Sequence, residues 1–230
     1  MNYIFLKNQI GSDEVGTGDF FCPIVVAATL IKKKDIDILN IVGIKDSKKL
    51  SDKKIKEIYE EIKKLKIPYE FFILPNDEYN EIYKEIQNMN AIKSILHNIV
   101  INKIYSRYPE IKNIFIDKFT THFDNHLGNF GKIKSLKFKN LINLNLPKII
   151  HKEKGEEKYP SIATASIVAR AEFLNYIYNM RKKYGMNIPL GCCNNVKIFS
   201  VDFIKKYGIK EFKKNVKLNF KTYKEILKSF

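Results

Sequence analysis

Arginine is nearly missing: only Arg107, Arg170 and Arg181 occur among 41 basic residues, and the rest are lysines. Cysteine is scarce. Cys22, Cys192 and Cys193 are an odd number, and two of them are adjacent, which excludes a disulfide framework and fits a reducing, cytoplasmic setting. No CxxC pair exists, so a zinc ribbon is excluded. Long apolar runs are absent as well. The longest, residues 23–31, is about half a membrane span. The apolar stretch near Met1 is short and has no basic region before it, unlike a signal peptide. No membrane partner is expected, and no obligate protein partner is evident.

What is present is core and positive charge. Of 230 residues 45% are hydrophobic, enough to bury a sizeable core in a single domain, 1–230. The net charge of +16 points to a polyanion such as nucleic acid. Lys, Asn and Ile are abundant everywhere, so any one lysine is as well read as a solvated surface position. Apolar periodicity predicts strands at 4–10, Ile24–Ile31, Tyr69–Leu74 and 111–117, with a weaker one at 148–151. Helices are predicted after Ser51, from Asn76 or Asp77 to about 88, from about 92 to 108, and from about 162 to Gly185. The alternation argues for an α/β fold whose core spans about 8–185, with a basic helical C-terminal part at about 198–230.

The segment Gly11-Ser-Asp13-Glu14-Val-Gly16-Thr17-Gly18 is the most informative. It is not a Walker loop, because Thr17-Gly18 stands where Lys-Ser/Thr is required. It is not a dinucleotide fingerprint, because Phe21 takes the place of the third glycine. Two acids there would repel a phosphate unless a cation sat between them, and clustered carboxylates at a strand end suit hard divalent metals. Neighbours on a regular strand point to opposite faces, so Asp13 and Glu14 are expected to share a site only if the strand ends or kinks there. The bland alternative is two solvated acids at a turn. Asp117 ends the apolar run Ile114-Phe-Ile116, where an unpartnered acid is costly; its alternative is a turn or helix cap. Glu156 and Glu157 stand just before a strong helix, and spacing leaves open whether one joins a carboxylate cluster or both favour a helix N-terminus. His122 and His126 lack the glutamate of a zinc-protease motif. Ser12 shows no His/Asp partner set, so nucleophilic catalysis is unsupported.

The stretch GSDEVGTGDFFCPIVVAA resembles the opening motif of the type 2 ribonucleases H, most closely their HIII branch. The resemblance continues through Asp46-Ser-Lys-Lys-Leu, Tyr79-Asn80, Asn90, His97-Asn98, Phe115-Ile-Asp117, Glu156-Glu-Lys-Tyr159, the run Ser161 to Arg170, and Pro189-Leu-Gly191, covering roughly 8–220. It implies a ribonuclease H-like mixed sheet and a nuclease that cuts the RNA strand of RNA–DNA hybrids. It implies Mg²⁺ or Mn²⁺, two ions per site with substrate, on Asp13, Glu14, Asp117 and Glu156. It also implies 5′-phosphate and 3′-hydroxyl products.

Within that resemblance Gly16, Thr17 and Gly18 are expected to test for the 2′-hydroxyl, and Ser47, Lys48 and Lys49 to hold phosphates. Ribonuclease HII carries an arginine where Thr17 stands, which favours cleavage within longer RNA stretches over incision at single ribonucleotides. HIII proteins carry an N-terminal substrate-binding domain, for which the 12 residues before Asp13 leave no room, so either weaker substrate affinity or affinity carried by the basic C-terminal helices is expected. Cys22 and Cys192-Cys193 also depart from the pattern. The competing readings are single-ribonucleotide incision and a non-catalytic nucleic-acid-binding module. Acids facing phosphates argue against the latter.

Overall fold

The computed structural model describes residues 4, 7–44, 50–120, 131–132, 138 and 140–228. At its centre β1 (Gln9–Val15) pairs antiparallel with β2 (Ile24–Ile31) from Gln9↔Ile31 to Val15↔Val25. Beyond β2 lies β3 (Tyr69–Leu74), also antiparallel. On its other side β1 runs parallel to β4 (Asn113–Asp117), which runs parallel to β5 (Ile149–Lys152). The order β3-β2-β1-β4-β5 is the mixed sheet expected. One expectation needs correcting. The strand predicted at 4–10 begins at Gln9 and runs straight through Asp13 and Glu14. Every residue from Gln9 to Val15 has a partner on β2, so ladder hydrogen bonds are gained by continuing rather than turning.

Helices cover both faces. Ile10, Val26, Ala28, Ile114 and Ile116 share one core with α3 (Asn76–Ile86) and α4 (Met89–Tyr105). Val25, Ala27 and Ile31 share the other with three further helices. These are α2 (Asp52–Lys64), α6 (Pro160–Tyr184) and α7 (Asn194–Asn215). With a core on each side, all eight residues of β2 are buried, which is why they read as a continuous apolar run. Helix α2 starts where Ser51 accepts a hydrogen bond from Lys54 N, and it buries Ile55, Ile58, Tyr59 and Ile62. Helix α1 (Ile36–Val42), behind a short 3₁₀ turn, was not foreseen from periodicity.

Two features of the chain bring α6 to the sheet. Its first turn carries Pro160, whose fixed φ suits a helix start. It also begins directly over Gly11, where a Cβ would lie 2.3 Å from the Ser161 carbonyl carbon. Helix α5 (Gly155–Lys158) precedes it. At the C-terminal end, α7 breaks at Gly208, which takes φ 80°, and α8 (Lys221–Leu227) follows. Among the described residues no helix is long and apolar enough to cross a membrane.

Candidate active site

Because β1 stays regular, its two acids straddle it. Ser12 and Glu14 point to α4, while Asp13 faces α6 and takes a hydrogen bond involving Ser166. Asp13 is 7% exposed. Burial, then the charge of Glu14 and then that of Asp117, push its carboxyl well above the ordinary value, against the help of Ser166 and the Glu14 amide. The three carboxylates therefore sense one another without the kink expected at Asp13–Glu14. They meet because Asp117 ends β4 beside β1, in parallel register with Ser12↔Ile116 as the last pair.

Glu14 is held differently. Its Oε1 accepts from Lys93 Nζ at 3.0 Å and its Oε2 contacts His97 Nε2 at 3.0 Å. Ser12 donates its hydroxyl proton to Ala27 O at 2.7 Å and lies 2.7 Å from His97 Nδ1. A carboxylate only accepts, so His97 Nε2 presents its proton to Glu14. Burial alone would raise the Glu14 pKa. The hydrogen bond and charge of His97, with the charge and hydrogen bond of Lys93, outweigh it and bring the value down to about 2. Phe119 closes this corner, with its ring 3.9 Å from Lys93 Nζ and stacked on His97 at 5.2 Å.

Ser12 thus has the histidine and carboxylate that the sequence did not reveal. It is nonetheless no nucleophile, being fully buried with its proton committed to a backbone carbonyl. Lys93 and His97 were the missed residues. The signal was there, since both are ionisable residues in the largely apolar run 91–101 and lie four apart, on one face of α4.

On the far side, Asp117 Oδ1 accepts from Gly155 N at 2.8 Å. A Cβ on Gly155 would lie 2.5 Å from Ile162 Cδ1, so glycine there lets α5 come up to Asp117. Glu156 follows immediately and is buried. The donors are all hard oxygens, and the crowding of like charge at Asp13 is what a divalent cation would relieve, so these acids fit Mg²⁺ or Mn²⁺. They are not yet gathered around one point: the described residues contain no set of three His, Cys, Asp or Glu poised to hold a metal.

Next to β1, Gly16 takes φ 89°, and a Cβ there would lie 2.0 Å from Pro23 O, so the turn itself demands glycine. Gly18 has no described atom within 4 Å of the same probe. Nothing in the fold requires that glycine, which leaves its backbone open to an incoming ligand. Ser47, Lys48 and Lys49, like His122 and His126, lie outside the described residues. A cleft of about 470 Å³ beside Asp117 is lined by Lys118, Thr120, His151, Lys152 and Glu153. A larger hollow, about 670 Å³, sits by Asn8 and Asn113 at the opposite end of β1 and β4. The smaller cleft is better placed for chemistry, since ligands of such sheets bind at the carboxyl ends of parallel strands.

Comparison with known proteins converges. The family model described as Ribonuclease HII matches residues 10–223. Ribonuclease HIII of Bacillus cereus is 35% identical over 213 residues, which are 92% of this chain and 65% of that protein. Ribonuclease HIII of Phytoplasma mali is 39% identical over 217 residues, 93% of this chain and 70% of that protein. The chain thus spans about two thirds of the length of these relatives. Among solved structures, Bst-RNase HIII in complex with Mn²⁺ superposes with a TM-score of 0.84 at 30% identity, covering 97% of this chain and 70% of that one. The ribonuclease H2 of Pyrococcus horikoshii shares the fold at a TM-score of 0.75 and 21% identity, covering 96% and 98%.

Proposed function

Since the chain belongs to the ribonuclease HII family, we propose that it hydrolyses the RNA strand of RNA–DNA hybrids at a divalent-metal centre on Asp13, Glu14, Asp117 and Glu156. The observation that carries this reading is Asp13: a carboxyl lifted first by burial and then by two neighbouring carboxylates, at the carboxyl ends of two parallel strands. When bound, the ions supply Lewis acidity for the attacking water and charge neutralisation at the departing 3′-oxygen. The chain's own groups do the rest. Asp13, whose carboxyl senses both Glu14 and Asp117, would be the central holder of the metal centre. Lys93 and His97 keep Glu14 ionised and aimed. Each carboxylate oxygen has two lone-pair directions, so Glu14 can keep these partners and still serve a metal. Gly18, exposed, faces the 2′-hydroxyl with Thr17 beside it and buried Gly16 shaping the turn behind, and Lys118 and Lys152 hold phosphates beside Asp117. The products are a 5′-phosphate and a 3′-hydroxyl.

Within the family we favour ribonuclease HIII-like cutting inside RNA stretches, on the strength of Thr17 and of the HIII relatives. The test is Mg²⁺- or Mn²⁺-dependent cleavage of labelled substrates. A full hybrid should be cut, and a run of several ribonucleotides in duplex DNA should be cut much faster than a single one. No cleavage with either metal overturns the proposal; equal rates on the last two substrates favour single-ribonucleotide incision. Hybrid affinity should also fall with salt, with a log–log slope of about −0.9 per phosphate neutralised.

A further inference from the structure

Lys217 is completely buried, although among the described residues no carboxylate is bonded to it. Its ammonium has three protons and spends one on each of three backbone carbonyls: Gly16 at 3.0 Å, Asp19 and Cys22. All three belong to the loop that leaves β1 at the carboxylates and returns into β2. The backbone repeats the grip, since Lys217 N donates to Phe20 O at 3.0 Å. Gly191 holds the same loop from the other side: its carbonyl accepts from Phe20 N at 2.9 Å and its N–H donates to Asp19 Oδ1.

The loop's own side chains point into the C-terminal part. Phe20 packs against Phe212 and Phe220, and Phe21 against Phe199, Phe203 and Phe212. Helix α3 braces Lys217 in turn. Asn80 donates to Val216 O at 2.9 Å and accepts from Leu218 N at 3.0 Å, and Tyr79 OH donates to Asn219 Oδ1 at 3.1 Å. Of residues 16–18, only Gly18 is exposed, the one that the fold does not require to be glycine. Every buried tie on this loop therefore fixes the shape it shows outward.

We propose that Lys217 is a positioning residue for RNA recognition: its ammonium sets the Gly16–Cys22 loop in the form that reads a 2′-hydroxyl. The inference rests on the function proposed above. It changes the expected role of the C-terminal part, which acts on substrate through a buried lysine and an aromatic cluster as well as through surface charge.

The test uses the full chain and two short labelled duplexes of one sequence, an RNA–DNA hybrid and an all-DNA duplex, bound in EDTA so that nothing is cut. Lys217→Met should lower the ratio of hybrid to DNA affinity about tenfold, the cost of one misplaced hydrogen bond to the 2′-hydroxyl, and leave DNA affinity unchanged. Amide exchange should quicken in 17–22 and not in β2 or β4. A ratio equal to wild type in folded Lys217→Met overturns the proposal. So does an equal fall on both duplexes, which is all a general structural role predicts. If Lys217→Met does not fold, Asn80→Ser, which loosens the brace without touching the loop, must show the same fall in ratio; an unchanged ratio overturns the proposal. Wild type that neither cuts the hybrid nor prefers it to DNA sinks the proposed function itself. Faster loop exchange in Lys217→Met would then show the clamp to be real but unconnected with RNA.

Discussion

Two buried lysines flank the first strand, and the protein uses them in opposite ways. Lys93 meets full opposite charge in Glu14, with an aromatic face behind it. Lys217 is bonded to dipoles, three carbonyls of one loop, with the rings of Tyr79 and Phe220 5.8 Å away. The electrostatic consequences differ accordingly. With Lys93 and His97 beside it, Glu14 drops to about 2 despite burial. With no bonded anion, burial brings Lys217 itself down to about 8, against smaller help from Cys22 and Asp19. One lysine tunes a carboxylate, and the other shapes a backbone.

The largest expected effect lies between them, at Asp13. Asp13→Asn should slow single-turnover cleavage on the order of a thousandfold, about 4 kcal/mol of transition-state stabilisation. A carboxyl with a raised pKa weakens the fold as pH climbs above its ordinary value, so at neutral pH in EDTA the same variant should melt higher than wild type. Cleavage within tenfold of wild type, or a lower melting temperature in EDTA, would remove Asp13 from the carboxylate cluster.

The anion-paired lysine comes next. Lys93→Met should cost about 3–5 kcal/mol in urea unfolding, because it strips a cation from buried Glu14. Adding Glu14→Gln should recover most of that loss. If the double variant is no better than the single one, the two side chains are not energetically paired.

The dipole-paired lysine makes a pH prediction. A lysine held down to about 8 while the unfolded chain titrates near 10.5 is a burden at low pH, where it is charged in both states. The burden lifts as pH rises between those values, because the unfolded chain then binds more protons. Wild type should therefore gain up to roughly 1.4 kcal/mol per pH unit over Lys217→Met across that window. Parallel stability curves for the two proteins would show that Lys217 does not titrate there.

The smallest effect is a labelling pattern. Cys192 and Cys193 are exposed, whereas Cys22 is fully buried and its thiol is pushed up to about 12, mostly by burial. A thiol reagent at pH 8 should modify two cysteines of the native protein and leave Cys22 until Lys217→Met loosens the loop around it. Prompt modification of all three in wild type would contradict the tight packing of that loop.

Much of this was legible in the chain. The two-sided burial of β2 shows as an uninterrupted apolar run, and Asp117 shows as an acid closing a buried strand. For Glu156, spacing alone left two roles open, and the resemblance rather than any local pattern is what proposes it as a metal ligand. What stayed hidden was tertiary. No local signal says that β1 continues through Asp13 and Glu14, because its partners on β2 enforce that. Lys93 and His97 stood out as polar residues in an apolar helix, but their partner on β1 lies about eighty positions earlier. Lys217 looked like one of many surface lysines in a basic tail; only packing shows that it is buried.

The contact between Lys217 and Gly16 spans 201 residues. A ribosome adding about 5–20 residues per second needs about 10 to 40 s to cover that distance. All four acids are made before Lys217, the last of them, Glu156, 61 residues earlier, and the loop beside Asp13 and Glu14 then still waits for its last fastener. Assembly of the molecule is thus ordered in time, with the acids made before the lysine that fastens the loop beside them.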